Sequence, residues 1–292
     1  MPAGGRAEQA RLLPVAPTAA STPSGTARFD KSPVSITGDA RGVLCLHGMT
    51  GTPFEVRPIA EALGRAGWSV ESPMLAGHGS TLAALAGSTW ADWLASAERA
   101  LDALQARVGG RPVALCGFSM GGLLALRLAR LFPERVAALV VMCTPLRLHR
   151  LSVAAVRAVC ALPLPFARLP AASVRKPNGS DISIPEMRHG NPGLPAFPLA
   201  ALEQLFALMD VVRADLPLVR APALVVDAGH DHVVPARDVR EVAATLGSSR
   251  VERLTLARSF HVVALDVDAP LLIESATRFL DGLLPAEAAR KE

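Results

Sequence analysis

Short apolar runs alternate along the chain with longer segments in which apolar residues recur at helical spacing. Six of the short runs predict strands, at residues 43–46, 70–73, 113–116, 138–143, 223–227 and 251–256. Strands that alternate with helices need crossover connections, and such connections build a parallel sheet. The pattern therefore predicts an α/β protein with a mostly parallel central sheet flanked by helices.

A helix is predicted between the first two strands. Residues 52–55 have the form of a capping box, with a proline at the first helical position. Ile59, Ala60 and Leu63 follow on one face, and Gly67 stands beyond the expected end. We therefore expect an amphipathic helix in this segment.

The alternation breaks after Thr144, where about seventy residues precede the next predicted strand. A loop of that length is improbable in a compact α/β core unless it forms a substructure. We expect a helix near 151–162, a proline-rich link and a second helix near 198–213. The predicted organisation is a flexible N-terminal extension at 1–32, a first core part at 33–145, a cap insertion at 146–215 and a second core part at 216–286.

The composition and charge of the chain exclude several classes of function. The chain has 292 residues, a net charge of +4, 50% hydrophobic residues and 19% charged residues, which suits a folded protein with a sizeable core. The basic residues are dispersed, so nucleic-acid binding is not expected. No apolar run reaches the roughly 20 residues that a membrane span needs, so we expect no stable membrane insertion.

The N-terminal segment and the cysteines indicate the cellular compartment in which we expect the protein. Residues 1–30 lack a basic patch followed by an apolar run, so they predict no secretory signal. The cysteines lie in apolar runs without C-x-x-C spacing, which is typical of buried reduced thiols. They are Cys45, Cys116, Cys143 and Cys160. We expect a cytoplasmic protein.

A nucleophile motif stands between a predicted strand and a helical pattern. Residues 117–121 read G-F-S-M-G, the G-x-S-x-G form, directly after strand 113–116. A serine at such a junction sits on a strained turn that exposes its hydroxyl, and the glycines let strand and helix approach closely. Ser119 is the predicted nucleophile. The alternative is a glycine-rich turn with an incidental serine.

A serine nucleophile needs a base and a residue that orients the base. Asp231 follows strand 223–227, and His261 follows strand 251–256. The carboxyl ends of parallel strands meet at one edge of a sheet, so these residues can converge. We predict a catalytic triad of Ser119, Asp231 and His261. No metal is expected, because the sequence has no His-x-x-x-His pair and no Cys/His cluster.

Other acidic and histidine residues are weaker candidates. Asp227 could be the acid, but it ends its strand rather than following it. Two later acids are expected to cap or flank the final helix; they are Asp266 and Asp268. Four histidines outside the triad are expected to be loop residues, with His47 stabilising its loop by hydrogen bonds. The other three of these candidates are His78, which could also touch substrate, His230 and His232.

Acyl transfer builds negative charge on a carbonyl oxygen, and backbone N–H groups can stabilise it. One predicted donor is the N–H of Met120, directly after the nucleophile. The other is the N–H of Met49, in the glycine-containing loop after the first strand.

The predicted cap insertion contains apolar residues that could line a substrate pocket. Its first predicted helix is apolar nearly all round, so it must bury more than one face. Further wall candidates are Leu164, Phe166, Phe197, Leu202, Leu205 and Phe206. The alternative is that these residues form a small core of the cap.

Together these segments resemble the α/β-hydrolase superfamily, and more closely the small bacterial carboxylesterases and monoacylglycerol lipases. The resemblance spans residues 43–280 and rests on 46–53, 55–57, 77–79, 90–93, 117–122 and the segments around Asp231 and His261. It implies an α/β-hydrolase fold with a small helical cap inserted after the sixth core strand. It also implies hydrolysis of short- to medium-chain acyl esters, monoacylglycerols among them, through an acyl-enzyme and without a cofactor.

Two other functions stay open at this point. The same triad can serve a thioesterase, an acyltransferase, an amidase or a peracid-forming enzyme, and a hydrolase fold can carry a non-catalytic ligand-binding protein. The expected partner is a small-molecule ester, and the sequence specifies no oligomeric state. Dehalogenases and epoxide hydrolases are disfavoured, because they need a carboxylate where Ser119 stands.

Overall fold

The computed structural model describes residues 29–147, 158, 172–176 and 178–286. Its strands, in chain order, are β1 Val34–Ile36, β2 Gly42–Leu46, β3 Ser69–Ser72, β4 Val113–Phe118, β5 Val136–Met142, β6 Ser173–Arg175, β7 Ala196–Pro198, β8 Ala223–Ala228 and β9 Val251–Leu256. Seven strands form one sheet in the order β1-β3-β2-β4-β5-β8-β9. All its neighbours pair in parallel except β1, which is antiparallel to β3. The predicted strands and the mostly parallel sheet are confirmed.

Eight helices accompany these strands in the described part of the chain. They are α1 Arg57–Arg65, α2 Leu82–Ala86, α3 Trp90–Arg107, α4 Met120–Leu131, α5 Pro185–Gly190, α6 Leu199–Asp215, α7 Ala236–Thr245 and α8 Ala269–Leu283. Among the described residues, no helix combines the length and the apolar character that crossing a membrane requires.

Both faces of the sheet are covered by helices, as a parallel sheet requires. Strand β2 shows this directly, because all five of its residues are buried. Leu44 and Leu46 pack in one core cluster with residues of α3 and α4. Val43 and Cys45 pack in a second cluster with residues of α1 and α8. The loops that follow the strands lie at the carboxyl edge of the sheet.

Helix α1 is present where the sequence predicts a helix, but its start differs. The predicted capping box is wrong: Pro53–Glu55 form a 3₁₀ turn, the Thr52 side chain makes no capping hydrogen bond, and the helix begins at Arg57. The buried Glu55 carboxylate accepts the N–H of Gly48 at 3.0 Å, so a tertiary contact takes it away from the helix end. The expected buried face is present; it consists of Ile59, Ala60 and Leu63.

The chain between β5 and β8 forms the insertion, a name we use for residues 146–215. The predicted second helix is confirmed as α6, which follows an unpredicted antiparallel pair of β6 and β7. The predicted helix near 151–162 lies outside the described residues except for Ala158, which is helical. The resemblance implies a cap inserted after the sixth core strand, whereas the insertion follows β5, which is the fifth of the described strands along the chain. Arg127 in α4 forms a salt bridge with Asp215 at 2.7 Å, which ties the insertion to the core.

Residues 29–32, which belong to the predicted N-terminal extension, contact the core. The ring centroids of Phe29 and Phe54 are 5.8 Å apart. Lys31 Nζ donates to the Gly79 carbonyl oxygen at 2.9 Å. The folded part of the chain therefore begins before residue 33.

Three of the four cysteines are buried free thiols, as expected; they are Cys45, Cys116 and Cys143. Cys160 lies outside the described residues.

Candidate active site

Ser119 occupies the turn between β4 and α4. Its backbone has φ +53° and ψ −115°, a conformation that costs a non-glycine residue about 1–3 kcal/mol. A Cβ on Gly121 would lie 2.1 Å from the Leu46 carbonyl oxygen, and one on Gly117 would lie 2.3 Å from the Gly121 carbonyl oxygen. The backbones of β2 and α4 therefore approach so closely that only glycine fits. The turn has the strained form that the motif predicts.

The structure brings the three residues of the predicted triad together at the carboxyl edge of the sheet. His261 Nε2 lies 3.2 Å from Ser119 Oγ, and His261 Nδ1 lies 2.8 Å from Asp231 Oδ2. An ionised carboxylate only accepts hydrogen bonds, so Nδ1 carries the hydrogen and Nε2 can accept the serine proton. This geometry suits proton transfer from Ser119 to His261.

Backbone groups hold Asp231 in place. Its Oδ1 accepts the N–H of Val233 at 2.8 Å and that of Val234 at 2.7 Å, which leaves Oδ2 for His261. Burial raises the pKa of Asp231, but His261 and the two N–H groups outweigh burial and keep this pKa below its usual value. The carboxylate is therefore ionised at neutral pH.

Cys143 adjoins this pair. Its Sγ and the ligand atoms of Asp231 and His261 lie within 4.8 Å of one another, close enough to hold a metal ion. Burial and the Asp231 carboxylate raise the pKa of the thiol well above its usual value, so it is neutral. A metal ion would have to displace the 2.8 Å hydrogen bond between Asp231 and His261.

The weaker acidic candidates have other partners. Asp227 lies in β8 and accepts from Thr255 Oγ1 at 2.8 Å. Asp266 and Asp268 hold the loop before α8, where they accept the N–H groups of Phe260 and Arg258, each at 2.8 Å. None of the three carboxylates forms a hydrogen bond with His261 in the described residues.

His47 and His78 are buried behind the loop that follows β2. The N–H of Leu75 donates to His47 Nε2 at 3.2 Å, so His47 Nδ1 carries the hydrogen and donates to the Gly48 carbonyl oxygen at 3.0 Å. Burial and the neighbouring His78 lower the pKa of His47 to about 3. Burial lowers the pKa of His78 to about 4. Both rings are neutral at pH 7, and His47 has the loop-stabilising contacts expected of it.

The two predicted oxyanion donors lie beside the nucleophile. Met49 lines the cavity above Ser119, and Met120 is the first residue of α4. Within the described part of the chain, neither backbone N–H donates a hydrogen bond. The peptide that carries the Met49 N–H is fixed through Gly48, whose carbonyl accepts the N–H of Gly51 at 3.1 Å.

A cavity of about 480 Å³ opens over Ser119 and His261. Its wall is largely apolar, and the insertion supplies much of it. Four predicted wall residues line it: Phe197, Leu202, Leu205 and Phe206. The other two, Leu164 and Phe166, lie outside the described residues. The cavity can take an apolar chain next to the nucleophile.

Three charged residues at this cavity were missed by the sequence analysis; they are Glu55, Lys176 and Asp181. One signal could have pointed to Lys176, because it is one of only three lysines among 30 basic residues. Glu55 was assigned to the predicted capping box instead. Nothing in the local sequence marks Asp181, because its partners His232 and His261 are distant along the chain.

Comparison with known proteins gives consistent matches. Residues 39–268 match the family described as serine aminopeptidase S33 (Hydrolase_4). A thermostable monoacylglycerol lipase of Bacillus sp. (strain H-257) is 33% identical over 238 residues, which cover 82% of this chain and 89% of that protein. A carboxylesterase of Bacillus subtilis (strain 168) is 27% identical over 252 residues, which cover 86% and 96%. A solved structure from the metagenome-derived lipolytic enzymes LipS and LipT is 34% identical, with a TM-score of 0.78 and coverage of 86% and 98%.

Proposed function

The chain belongs to the serine aminopeptidase S33 family of hydrolases, and from this premise we propose that it is a serine carboxylic-ester hydrolase whose catalytic residues are Ser119, His261 and Asp231. The observation that carries the proposal is the hydrogen-bond chain from Ser119 through His261 to Asp231 beneath a largely apolar cavity. The relatives named monoacylglycerol lipase and carboxylesterase support an ester as the bond that is cleaved.

Acylation follows from this geometry. His261 Nε2 takes the Ser119 proton as Oγ attacks the ester carbonyl carbon, and Asp231 stabilises the imidazolium that forms. The N–H groups of Met49 and Met120 donate to the developing oxyanion, and each such donor is worth about 3 kcal/mol. The imidazolium then protonates the leaving alkoxide, and the alcohol departs from the acyl-enzyme.

Deacylation repeats these roles with water. His261 takes a proton from water, and the water oxygen attacks the acyl carbon. The Ser119 oxygen leaves and recovers a proton from His261, which releases the carboxylic acid. These residues and water complete the cycle.

Residues 146–215 act as a cap that roofs the acyl site in this proposal. Phe197, Leu202, Leu205 and Phe206 supply an apolar surface from this segment. A cavity of about 480 Å³ suits an acyl chain of short to medium length. The substrates we propose are therefore short- to medium-chain acyl esters, with monoacylglycerols among them.

The test is hydrolysis of a p-nitrophenyl ester series from acetyl to palmitoyl. The wild type should turn over part of the series, and Ser119→Ala should lose activity by at least about 10³-fold. Ser248→Ala, a change in a surface loop, is the matched control and should behave like the wild type. A serine-reactive phosphonate should label Ser119.

Two outcomes contradict the ester assignment in different ways. Activity in Ser119→Ala near that of the wild type would remove Ser119 from the mechanism. Labelling of Ser119 without turnover of any ester would leave the nucleophile in place and assign it to a thioester, an amide or acyl transfer instead.

A further inference from the structure

The loop that carries the Met49 N–H contains a residue in a strained conformation. We call residues 48–51 the oxyanion loop. Thr50 in this loop has φ +62°, which is an outlier for a β-branched residue. Such a backbone persists only where surrounding contacts hold it. The contacts of Thr50 therefore determine where the neighbouring N–H of Met49 points.

The hydrogen bonds of the oxyanion loop leave the Met49 N–H without an acceptor among the described residues. The Gly48 N–H donates to Glu55 Oε2 at 3.0 Å, and the Gly48 carbonyl accepts the N–H of Gly51 at 3.1 Å. The Thr50 hydroxyl donates to the Met49 carbonyl at 2.5 Å. The backbone groups on either side of the Met49 N–H are therefore all engaged, and they fix its direction.

Two contacts from the insertion hold Thr50. Lys176 Nζ donates to Thr50 Oγ1 at 2.5 Å, and the Leu194 N–H donates to the Thr50 carbonyl at 2.8 Å. The Lys176 N–H donates to the Pro195 carbonyl at 3.0 Å, which joins the two segments that make these contacts. The Thr50 hydroxyl accepts from Lys176 and donates to Met49, so two linked hydrogen bonds lead from the insertion to the oxyanion loop.

The charge of Lys176 is compensated where it lies. Its side chain lines the cavity of Ser119, and its Nζ lies 4.8 Å from the centre of the Phe197 ring. Glu55, which holds Gly48, opposes the effect of burial on the pKa of Lys176, and Lys176 opposes the effect of burial on the pKa of Glu55. A charge removed from water is costly unless it is paired. The two groups therefore stabilise each other in the positions from which they hold the oxyanion loop.

Loss of the Lys176 ammonium would remove one of the contacts that hold the strained Thr50. The oxyanion loop could then relax, and the Met49 N–H would move with it. A donor of this kind acts when charge develops on the carbonyl oxygen, and the ground-state carbonyl gains much less from it. A displaced donor therefore lowers kcat more than it raises KM.

We propose that Lys176 is a positioning residue that acts through Thr50 to hold the Met49 N–H toward the oxyanion, so that the insertion orders the oxyanion site as well as lining the acyl cavity. This inference rests on the proposed ester hydrolysis and adds a residue to its machinery.

The test is a double-mutant cycle of Lys176→Met and Thr50→Val, measured on the p-nitrophenyl ester that the wild type turns over fastest. Methionine keeps an unbranched side chain without the charge, and valine keeps the β-branched shape without the hydroxyl. Each single variant should lower kcat about tenfold with less than about a twofold change in KM, because small displacements of a catalytic group are costly. The double variant should also lose about tenfold, because both changes break the same pair of hydrogen bonds.

A trifluoromethyl ketone reports on the oxyanion site directly. Ser119 Oγ adds to its carbonyl carbon, the Ser119 proton passes to His261, and the ketone oxygen becomes an oxyanion that accepts from Met49 and Met120. The inhibition constant of this ketone should rise about tenfold in Lys176→Met, in step with the fall in kcat/KM. A variant with raised KM, unchanged kcat and an unchanged inhibition constant would assign Lys176 to substrate binding alone and overturn the inference.

Arg175→Met is the matched control. Arg175 is the exposed neighbour of Lys176 at the end of β6, so its loss should leave kcat and the inhibition constant unchanged. Thermal unfolding checks that each variant is folded. If Lys176→Met does not fold, Thr50→Val alone carries the test: about a tenfold loss of kcat is expected, and a wild-type kcat overturns the inference.

The outcomes separate this inference from the proposed function. A wild-type kcat in Lys176→Met, with hydrolysis that depends on Ser119, overturns the inference and leaves the esterase in place. Losses that multiply to about 100-fold in the double variant overturn the action through Thr50.

A wild type that hydrolyses no ester overturns the proposed ester hydrolysis. The rate at which the phosphonate labels Ser119 then replaces kcat, because that reaction also builds negative charge on an oxygen. This rate should fall about tenfold in Lys176→Met, and an unchanged rate overturns the positioning role as well.

Discussion

Asp181 of the insertion accepts the backbone N–H of His261 at 3.1 Å. The same Oδ2 atom accepts the N–H of His232, the neighbour of Asp231, also at 3.1 Å. Its Oδ1 lies 2.9 Å from His232 Nδ1. One carboxylate from the insertion therefore ties the loop of the proposed catalytic acid to the loop of the proposed base.

Removal of this carboxylate should misplace the imidazole. We expect Asp181→Ala to lower kcat by about tenfold or more, with a smaller change in KM, because small displacements of a catalytic group are costly. Asp181→Asn keeps an oxygen that can accept the N–H groups of His232 and His261, so it should retain most of the activity. Steady-state kinetics over a range of pH on one ester measures both effects.

Asp268→Ala is the control for this change. Asp268 holds the same loop through the Arg258 N–H at 2.8 Å, and none of its hydrogen bonds within the described residues reaches the triad. A wild-type kcat in Asp181→Ala would contradict the prediction, as would an equal loss of kcat in Asp268→Ala at similar stability.

The central strands β2, β4, β5 and β8 were predictable from sequence because nearly all their residues are buried and they form almost continuous apolar runs. Strand β4 is an example, with all six residues buried. Strands β1, β6 and β7 have three residues each, too few to display a period. The start of α1 was not predictable, because the Glu55 carboxylate accepts the Gly48 N–H and does not cap its own helix.

The order of candidate site residues along the chain was also informative. Ser119, Asp231 and His261 each follow a strand, and parallel strands gather such residues at one edge. Lys176 and Asp181 could not be placed this way, because they belong to the insertion. Lys176 contacts Thr50 across 126 positions of the sequence, a pairing that no local pattern encodes.

The glycine at position 121 should be indispensable. A Cβ there would lie 2.1 Å from the Leu46 carbonyl oxygen and 2.7 Å from that of His47, and both are backbone atoms that cannot move aside cheaply. We expect Gly121→Ala to lower the free energy of unfolding by about 3 kcal/mol or more, or to prevent folding. Gly282→Ala in α8 meets no atom within 4 Å and should stabilise the protein by up to about 1 kcal/mol. Urea unfolding compares the two; similar midpoints would contradict the prediction.

Leu202 should help to set the acyl chain length. It lines the cavity and is half-buried, so a larger side chain can enter the space of the substrate. We expect Leu202→Trp to move the kcat/KM optimum of the p-nitrophenyl series to shorter chains and to reduce turnover of the longest substrates about tenfold. Leu218→Trp, at a residue that is 50% exposed, is the control. An unchanged chain-length profile in Leu202→Trp would remove this residue from the acyl site.

Glu55 should make stability depend on pH. Burial raises its pKa, and Lys176, the Gly48 N–H, His261 and Asn191 oppose this only in part. A carboxyl with a raised pKa in the folded state contributes stability that is fully present below its unfolded pKa, about 4.3. That contribution is lost as the pH rises through the folded pKa. Glu55→Gln keeps an acceptor for Gly48 and does not titrate.

The free energy of unfolding of Glu55→Gln, relative to that of the wild type, should therefore increase from about pH 4 to pH 7. The lowered pKa of Asp231 acts in the opposite direction, but it is present in both proteins and cancels in the difference. Urea unfolding of both proteins at several pH values measures this difference. A constant difference across the range would mean that Glu55 titrates normally, and a falling difference would mean that Lys176 and its other partners outweigh burial.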